Sequence, residues 1–116
     1  MTSEEKEYKD VLSAVKGGDD SAKTKLAWYK LSGLGGAEKD EYGAVKMLEE
    51  RVKGGDVEAA WMLGACKEFG IGTKKDTDRA EELYGQSSCR GNKIGKILMD
   101  NRSHERGSGY LKIKRL

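Results

Sequence analysis

The sequence has little of the chemistry on which most active sites depend. Its 116 residues include no proline, two cysteines and a single histidine. Cys66 and Cys89 are too few for a disulfide framework and lack the spacing of a zinc site, so we expect two reduced, partly buried thiols. The alternative is a bridge between the two helices of one unit, which would need an oxidising compartment. His104 has no cysteine or carboxylate at metal-ligand spacing and is expected to be a solvated surface histidine. We therefore predict no catalytic residues, no metal and no cofactor, and a protein that is not an enzyme.

Long apolar segments are also missing. No stretch approaches the roughly 18 apolar residues that a membrane span requires, and the acidic start Thr2-Ser3-Glu4-Glu5 is unlike a signal peptide. Charged and hydrophobic residues each make up 36% of the chain, so the core must be lean and much of every helix must face water. We expect a small soluble protein of the cytoplasm.

Glycine, by contrast, is abundant and recurs at a fixed period. Gly33-Leu34-Gly35 returns 37 residues later as Gly70-Ile71-Gly72, and Gly107-Ser108-Gly109 follows after the same interval. Further matches fall at this spacing or one residue less: Gly17 with Gly54, Asp19 with Asp56, Ala22 with Ala59, Leu26 with Leu63, Asp40 with Asp76 and Ala44 with Ala80. A period of this length is typical of a solenoid of stacked supersecondary units.

Each period predicts a helix, a glycine loop and a second helix. Asp56 is placed to cap the first helix, in which Ala59 and Leu63 recur at helical spacing. The glycines at 70–72 end that helix, and Asp76 is placed to cap the second. We therefore predict an all-α fold, a short α-solenoid of antiparallel helix pairs with about six helices.

The repeat domain is expected to cover residues 1–109, followed by a basic tail at residues 110–116. Its expected units are a half unit at 4–16, complete units at 17–53 and 54–90, and a partial unit at 91–106. Solenoid units need neighbours to bury their apolar faces. The partial unit carries Ile94, Ile97, Leu98 and Met99 without an obvious second helix. An exposed apolar face there would favour self-association through this C-terminal helix, docking of the tail or binding of a partner helix.

The repeated residues resemble the Sel1-like repeat family. In the second unit the likeness is carried by Ala59-Ala60-Trp61-Met62-Leu63-Gly64, Gly70-Ile71-Gly72, Asp76, Ala80, Leu83-Tyr84 and Gly91. In the first it is carried by Ala22, Leu26, Gly33-Leu34-Gly35, Asp40, Ala44, Leu48 and Gly55. Lys30 and Lys67 depart from the usual tyrosine, and Ala27 replaces a glycine. The resemblance implies a right-handed superhelix that acts as a non-enzymatic adaptor or scaffold for other proteins.

Four side chains are candidate contacts for a protein or peptide on the concave face: Lys23, Trp28, Lys30 and Lys67. Trp28 has no aromatic counterpart in the second unit, where Ala65 stands, and tryptophan and basic residues are common interface anchors. Lys30 and Lys67 are included because they replace the tyrosine of the family pattern. Trp61 matches an aromatic position of that pattern, so we expect it in the core.

The C-terminal part of the chain is strongly basic. From residue 90 onward there are eight basic and two acidic residues. The tail at 110–116 could be a free segment, could fold back onto or swap into the acidic surface of the repeats, or could bind a polyanion through Lys112, Lys114 and Arg115. We favour a protein or peptide partner, with nucleic acid as the alternative and no membrane partner.

Overall fold

The computed structural model describes residues 2–101, and every regular element in that range is helical. The helices are α1 (Ser3–Lys16), α2 (Ala22–Ser32), α3 (Glu41–Lys53), α4 (Val57–Phe69) and α5 (Thr77–Cys89), with a short 3-10 turn at Leu34–Gly36. A sixth helix, α6, occupies residues 93–101. No strand occurs within this range, and the predicted all-α solenoid of about six helices is confirmed.

Aspartates at the repeated positions begin three of the helices. The Asp40 carboxylate accepts a hydrogen bond from the backbone N–H of Gly43 at 2.9 Å, at the start of α3. Asp76 accepts from the backbone N–H of Arg79 at 3.0 Å, at the start of α5. Asp56 accepts from the backbone N–H groups of Glu58 and Ala59 at the start of α4. These bonds satisfy backbone donors that have no partner within the helix.

The repeated glycines form turns that other residues would strain. Gly33 and Gly70 end α2 and α4 in the left-handed region, with φ of 71° and 70°. Gly35 and Gly72 are also left-handed and lie directly against the first turn of another helix: Gly35 against Glu4 of α1, and Gly72 against Glu41 of α3. A Cβ atom at Gly35 would lie 2.6 Å from the Glu4 carbonyl oxygen. The glycine period therefore marks the close contact between successive helix pairs.

Two clusters of buried side chains form the core. The larger spans α2 to α5 and includes Ala27, Ala44, Leu48, Leu63 and Leu83. The smaller joins α1 to α2 through Val11, Leu26 and Tyr29, together with Ala37 from the loop before α3. Met47 packs against both clusters and so connects them.

Ala27 stands where the family pattern has glycine, and the packing of α2 explains this difference. Gly64, its counterpart in α4, faces the ring of the fully buried Tyr84 in α5, and a Cβ atom there would lie 2.6 Å from Tyr84 Cε1. In the first unit the position equivalent to Tyr84 is Leu48, and Ala27 and Leu48 are both fully buried in the same cluster. The smaller leucine leaves room for the alanine methyl group, so each unit keeps its own matched pair.

Candidate partner-binding groove

A groove of about 760 Å³ runs across the first helices of successive units. Its apolar side chains come from three helices: Trp28 and Tyr29 of α2, Trp61 and Met62 of α4, and Ile94 of α6. The N-terminal turns of α1 add Glu4 and Glu7 at one side. The groove therefore exists only because the helix pairs stack side by side.

Trp28 and Trp61 are the two tryptophans of the chain, and both line this groove. Trp28 is 36% exposed and packs edge-on against Tyr29, with ring centroids 5.0 Å apart. The Trp61 indole N–H donates a hydrogen bond to Glu58 Oε2 at 2.8 Å. Both rings are thus held in place by neighbours while part of their surface stays open to a ligand.

A smaller groove of about 330 Å³ continues the apolar surface. It shares Trp28, Trp61 and Met62 with the first groove and extends to Leu31 and Ile71. The two grooves therefore form one apolar strip centred on the tryptophans. Tryptophan side chains in such positions are frequent anchors of protein interfaces.

Carboxylates outnumber basic groups around the main groove. Glu4, Glu7 and Glu58 line it against the cation of Lys25, and the Asp56 carboxylate at its base is paired with Arg51. Lys25 Nζ lies 3.4 Å from Glu7 Oε1, and both side chains are largely exposed. Burial, followed by the nearby Glu7 and Glu4 carboxylates, raises the pKa of Tyr29, which keeps this phenol neutral. The groove therefore presents an apolar floor with a net negative rim.

Glu58 and Asn92 hold α6 beside α4 at one end of the groove. Asn92 Nδ2 donates to Glu58 Oε1 at 2.8 Å, while Asn92 Oδ1 accepts from the backbone N–H of Gly95 at 2.8 Å and so begins α6. Gly95 in turn lies directly against Ser87 of α5. These contacts position Ile94, which is 42% exposed, at the edge of the apolar strip.

Asp56 joins three helices at the base of the groove. Its carboxylate accepts hydrogen bonds from Thr24 Oγ1 of α2 at 2.5 Å and from Arg51 Nη2 of α3 at 3.2 Å. It also accepts from the backbone N–H groups of Glu58 and Ala59 at the start of α4. Burial acts to raise the pKa of Asp56, but these hydrogen bonds outweigh it and lower the pKa below its usual 3.8. The ionised carboxylate is therefore a structural connection between the two units.

The structure brings only part of the predicted contact set together. Trp28 lines the groove, whereas Lys23 does not and pairs with Asp20 at 3.0 Å. Lys30, half-buried near the end of α2, is also not among the lining residues. Lys67 lies in a separate cavity bordered by α3, α4 and α5.

The Lys67 ammonium is already engaged in that separate cavity. Lys67 Nζ lies 3.6 Å from Glu49 Oε1 and donates a hydrogen bond to Thr73 Oγ1 at 3.1 Å. The basic tail residues Lys112, Lys114 and Arg115 lie outside the described residues.

Trp61 is the groove residue that the sequence interpretation placed elsewhere. It packs against the core, as expected, but it is half-buried and also lines both grooves. A signal was present: Trp28, Trp61 and Ile94 are spaced 33 residues apart, four less than the 37-residue period. A step of about one helical turn per unit carries the apolar strip diagonally across α2, α4 and α6.

The two cysteines of the chain lie in different surroundings. Cys66 is buried and Cys89 is exposed rather than partly buried, and both are free thiols. Burial raises the pKa of Cys66 to about 11, which leaves it as a neutral thiol at physiological pH.

Residues 2–101 contain no group of side chains suited to holding a metal ion. Within the same residues, no helix has the length and apolar character needed to cross a membrane.

Comparison with known proteins identifies the class to which this fold belongs. The family model of the Sel1 repeat matches residues 20–50 and 57–92, which is more than half of the chain. The chain belongs to the Sel1 repeat family, whose members are generally non-catalytic scaffolds for protein interactions. A comparison with curated proteins gave no significant match.

Two solved structures share the fold. A Sel1 repeat protein from Oxalobacter formigenes is 28% identical with a TM-score of 0.69, over 79% of this chain and 38% of that one. The protein c5321, a protective antigen present in uropathogenic Escherichia coli strains and displaying an SLR fold, is 22% identical with a TM-score of 0.69. That match covers 82% of this chain and 20% of c5321. The chain thus spans well under half the length of both proteins.

Proposed function

We propose that the chain is a non-catalytic adaptor module that binds a peptide segment of a partner protein in the groove. The observation that carries this is the apolar strip of Trp28, Trp61, Met62 and Ile94 beneath a mostly acidic rim. Apolar anchors burying against tryptophan supply affinity, and the rim carboxylates favour a ligand of opposite charge. The preferred partner segment therefore combines apolar side chains with lysine or arginine.

Trp28 is retained from the predicted contacts, and Trp61 is added to it. Lys67 is omitted because its ammonium already contacts Glu49 and Thr73. Lys23 and Lys30 remain proposed secondary contacts, since they share α2 with Trp28.

We also propose a cytoplasmic location, a reducing compartment in which exposed thiols such as that of Cys89 persist.

The test is to select peptides from a random displayed library on the full chain and to synthesise a recovered sequence. Recovered peptides are expected to be enriched in basic and apolar residues. Trp28→Ala should weaken binding about tenfold or more, because truncating a central aromatic anchor typically costs over 1.4 kcal/mol.

The matched control is Tyr42→Ala, which removes an aromatic ring that is 64% exposed on α3 and does not line the groove. It should leave the affinity unchanged. Equal losses for the two variants, or a selection that recovers no binding peptide, would contradict the proposed groove.

A further inference from the structure

We propose that the groove is occupied by the C-terminal residues 110–116 of the same chain, Tyr110-Leu111-Lys112-Ile113-Lys114-Arg115-Leu116. A partner segment must then displace this tail before it binds. The inference rests on the proposed function, because both ligands use the same groove. It makes the tail an internal competitor that sets the threshold for partner binding.

Charge complementarity is the first argument. Residues 110–116 contain three basic side chains and no acidic one, and residues 102–116 contain five basic side chains and one acidic. The groove presents Glu4, Glu7 and Glu58 against Lys25, while Asp56 is already paired with Arg51. Opposite charges at the groove and on the tail favour their association, most strongly at low ionic strength.

The distribution of apolar side chains is the second argument. In an extended segment, alternate residues point to opposite faces. Leu111 and Ile113 would then share one face and Lys112 and Lys114 the other. This pattern matches a surface whose floor is the apolar strip of Trp28, Trp61 and Met62 and whose rim is acidic.

Chain length is the third argument. The described structure ends at residue 101, about 10 Å along α6 from Ile94, which lies at the edge of the groove. The nine residues from 102 to 110 span up to about 30 Å when extended, so Tyr110 reaches the groove with length to spare. Attachment to the same chain gives an effective concentration on the order of millimolar, which favours this tail over that of a second copy.

The test compares the full chain with a full-length variant whose tail charges are reversed, Lys112→Glu, Lys114→Glu and Arg115→Glu. The matched control reverses three exposed lysines that do not line the groove: Lys9→Glu, Lys74→Glu and Lys75→Glu. A synthetic peptide of residues 107–116 is titrated into each protein. Tryptophan emission reports occupancy directly, because both tryptophans line the groove.

We expect the peptide to bind the tail-reversed variant about tenfold more tightly, or better, than it binds the native chain or the control. Without peptide, the tail-reversed variant should also show the greatest quenching of tryptophan emission by acrylamide. Adding Trp28→Ala to the tail-reversed variant should weaken peptide binding about tenfold or more, which would locate the peptide in the groove. A Leu111→Ser, Ile113→Ser variant should open the groove in the same way.

Other outcomes overturn the inference and point elsewhere. Equal peptide binding by all three proteins would mean that the groove binds such peptides but the tail does not occupy it, and the proposed function would stand. No binding by any protein would exclude the tail sequence as a ligand, while peptides from the library would still test the groove independently. A difference that grows with protein concentration, with dimers in light scattering, would assign the groove to the tail of a second copy.

Discussion

At the scale of single residues, Asp56 shows how one side chain can hold two repeat units together. It caps α4 while accepting hydrogen bonds from Thr24 of α2 and Arg51 of α3. Its side chain is only 14% exposed, so water replaces these bonds poorly. Hydrogen bonds to a charged group are stronger than neutral ones, at about 1.5–3 kcal/mol each.

Asp56→Asn should lower the free energy of unfolding by about 2 kcal/mol at pH 7, because the charged acceptor is lost. The pKa of Asp56 is lower in the folded chain than its usual 3.8. The ionised Asp56 carboxylate therefore contributes fully to the free energy of unfolding well above pH 3.8. This contribution is lost as the pH falls through the folded-state pKa. Urea unfolding followed by circular dichroism measures the free energy of unfolding of both proteins. The difference between the native chain and the variant should become smaller from pH 7 to pH 3.

The control for this prediction is Asp100→Asn, which alters an ion pair with Lys96 in which both side chains are mostly exposed. Surface pairs of this kind contribute little, so its stability should be nearly unchanged. If the stability difference between the native chain and Asp56→Asn stayed constant down to pH 3, the role assigned to the Asp56 charge would be wrong.

Gly64 illustrates packing at the same scale. Gly64→Ala should destabilise the fold by about 1–2 kcal/mol, because overpacking against the buried Tyr84 ring outweighs the gain in helix propensity. Gly85→Ala is the matched control, since it lies in α5 with open space around it and should gain up to about 1 kcal/mol. Thermal unfolding measures both, and a stabilising Gly64→Ala would refute the packing explanation.

At the scale of helices and turns, the repeated glycine loop sets how closely one helix pair approaches the next. Gly35 and Gly36 are adjacent, and both have left-handed backbone angles, with φ of 64° and 80°. Gly35 lies against the first turn of α1, whereas Gly36 has open space around it. Substituting each glycine in turn therefore distinguishes two costs in stability. One is the cost of a left-handed backbone angle, which applies to both positions, and the other is the cost of the close contact with α1, which applies to Gly35 alone.

Gly36→Ala should cost about 1–2 kcal/mol, the penalty of a left-handed conformation for a residue with a Cβ atom. Gly35→Ala should cost about 1–3 kcal/mol more, because its Cβ atom would also push against the Glu4 carbonyl. Chemical denaturation of the two variants provides the comparison. Equal losses would show that α1 moves aside freely and that the contact adds nothing.

At the scale of the whole molecule, the described helices share their core instead of forming separate units. The larger cluster draws side chains from α2, α3, α4 and α5, and Met47 connects it to the cluster that holds α1. Stacked repeats are stabilised by interfaces between neighbours as much as by each unit alone. Two such units with a common core are expected to unfold together.

The native chain should therefore unfold in one cooperative transition. Tryptophan fluorescence, which reports on α2 and α4, should coincide with helical circular dichroism across a urea titration. Met47→Ala should lower stability by about 1–2 kcal/mol, since it removes a half-buried side chain that joins the clusters. Fluorescence and circular dichroism curves that separate in the native chain would show that the units unfold independently.

The fold was predictable from the sequence because its signals are local. Aspartates placed to begin helices, glycines that tolerate left-handed angles and apolar residues at helical spacing each depend on nearby chain. Asp56 and Asp76 cap helices as predicted, and Asp40, the repeat counterpart of Asp76, does the same. The recurrence of these signals every 37 residues then indicates stacked helix pairs.

The groove was less predictable because it depends on how helices rotate and stack. Trp28 was identified from its lack of a repeated counterpart, but Trp61 was assigned to the core, and Glu4 and Glu7 carried no signal in the sequence. Lys67 shares α4 with Trp61, yet the rotation of that helix directs it to a cavity beside Glu49. Sequence alone determined the helices and their period, because backbone preferences are local. Only the tertiary structure decided which side chains share the groove, because residues as distant as Glu4 and Ile94 meet there through packing.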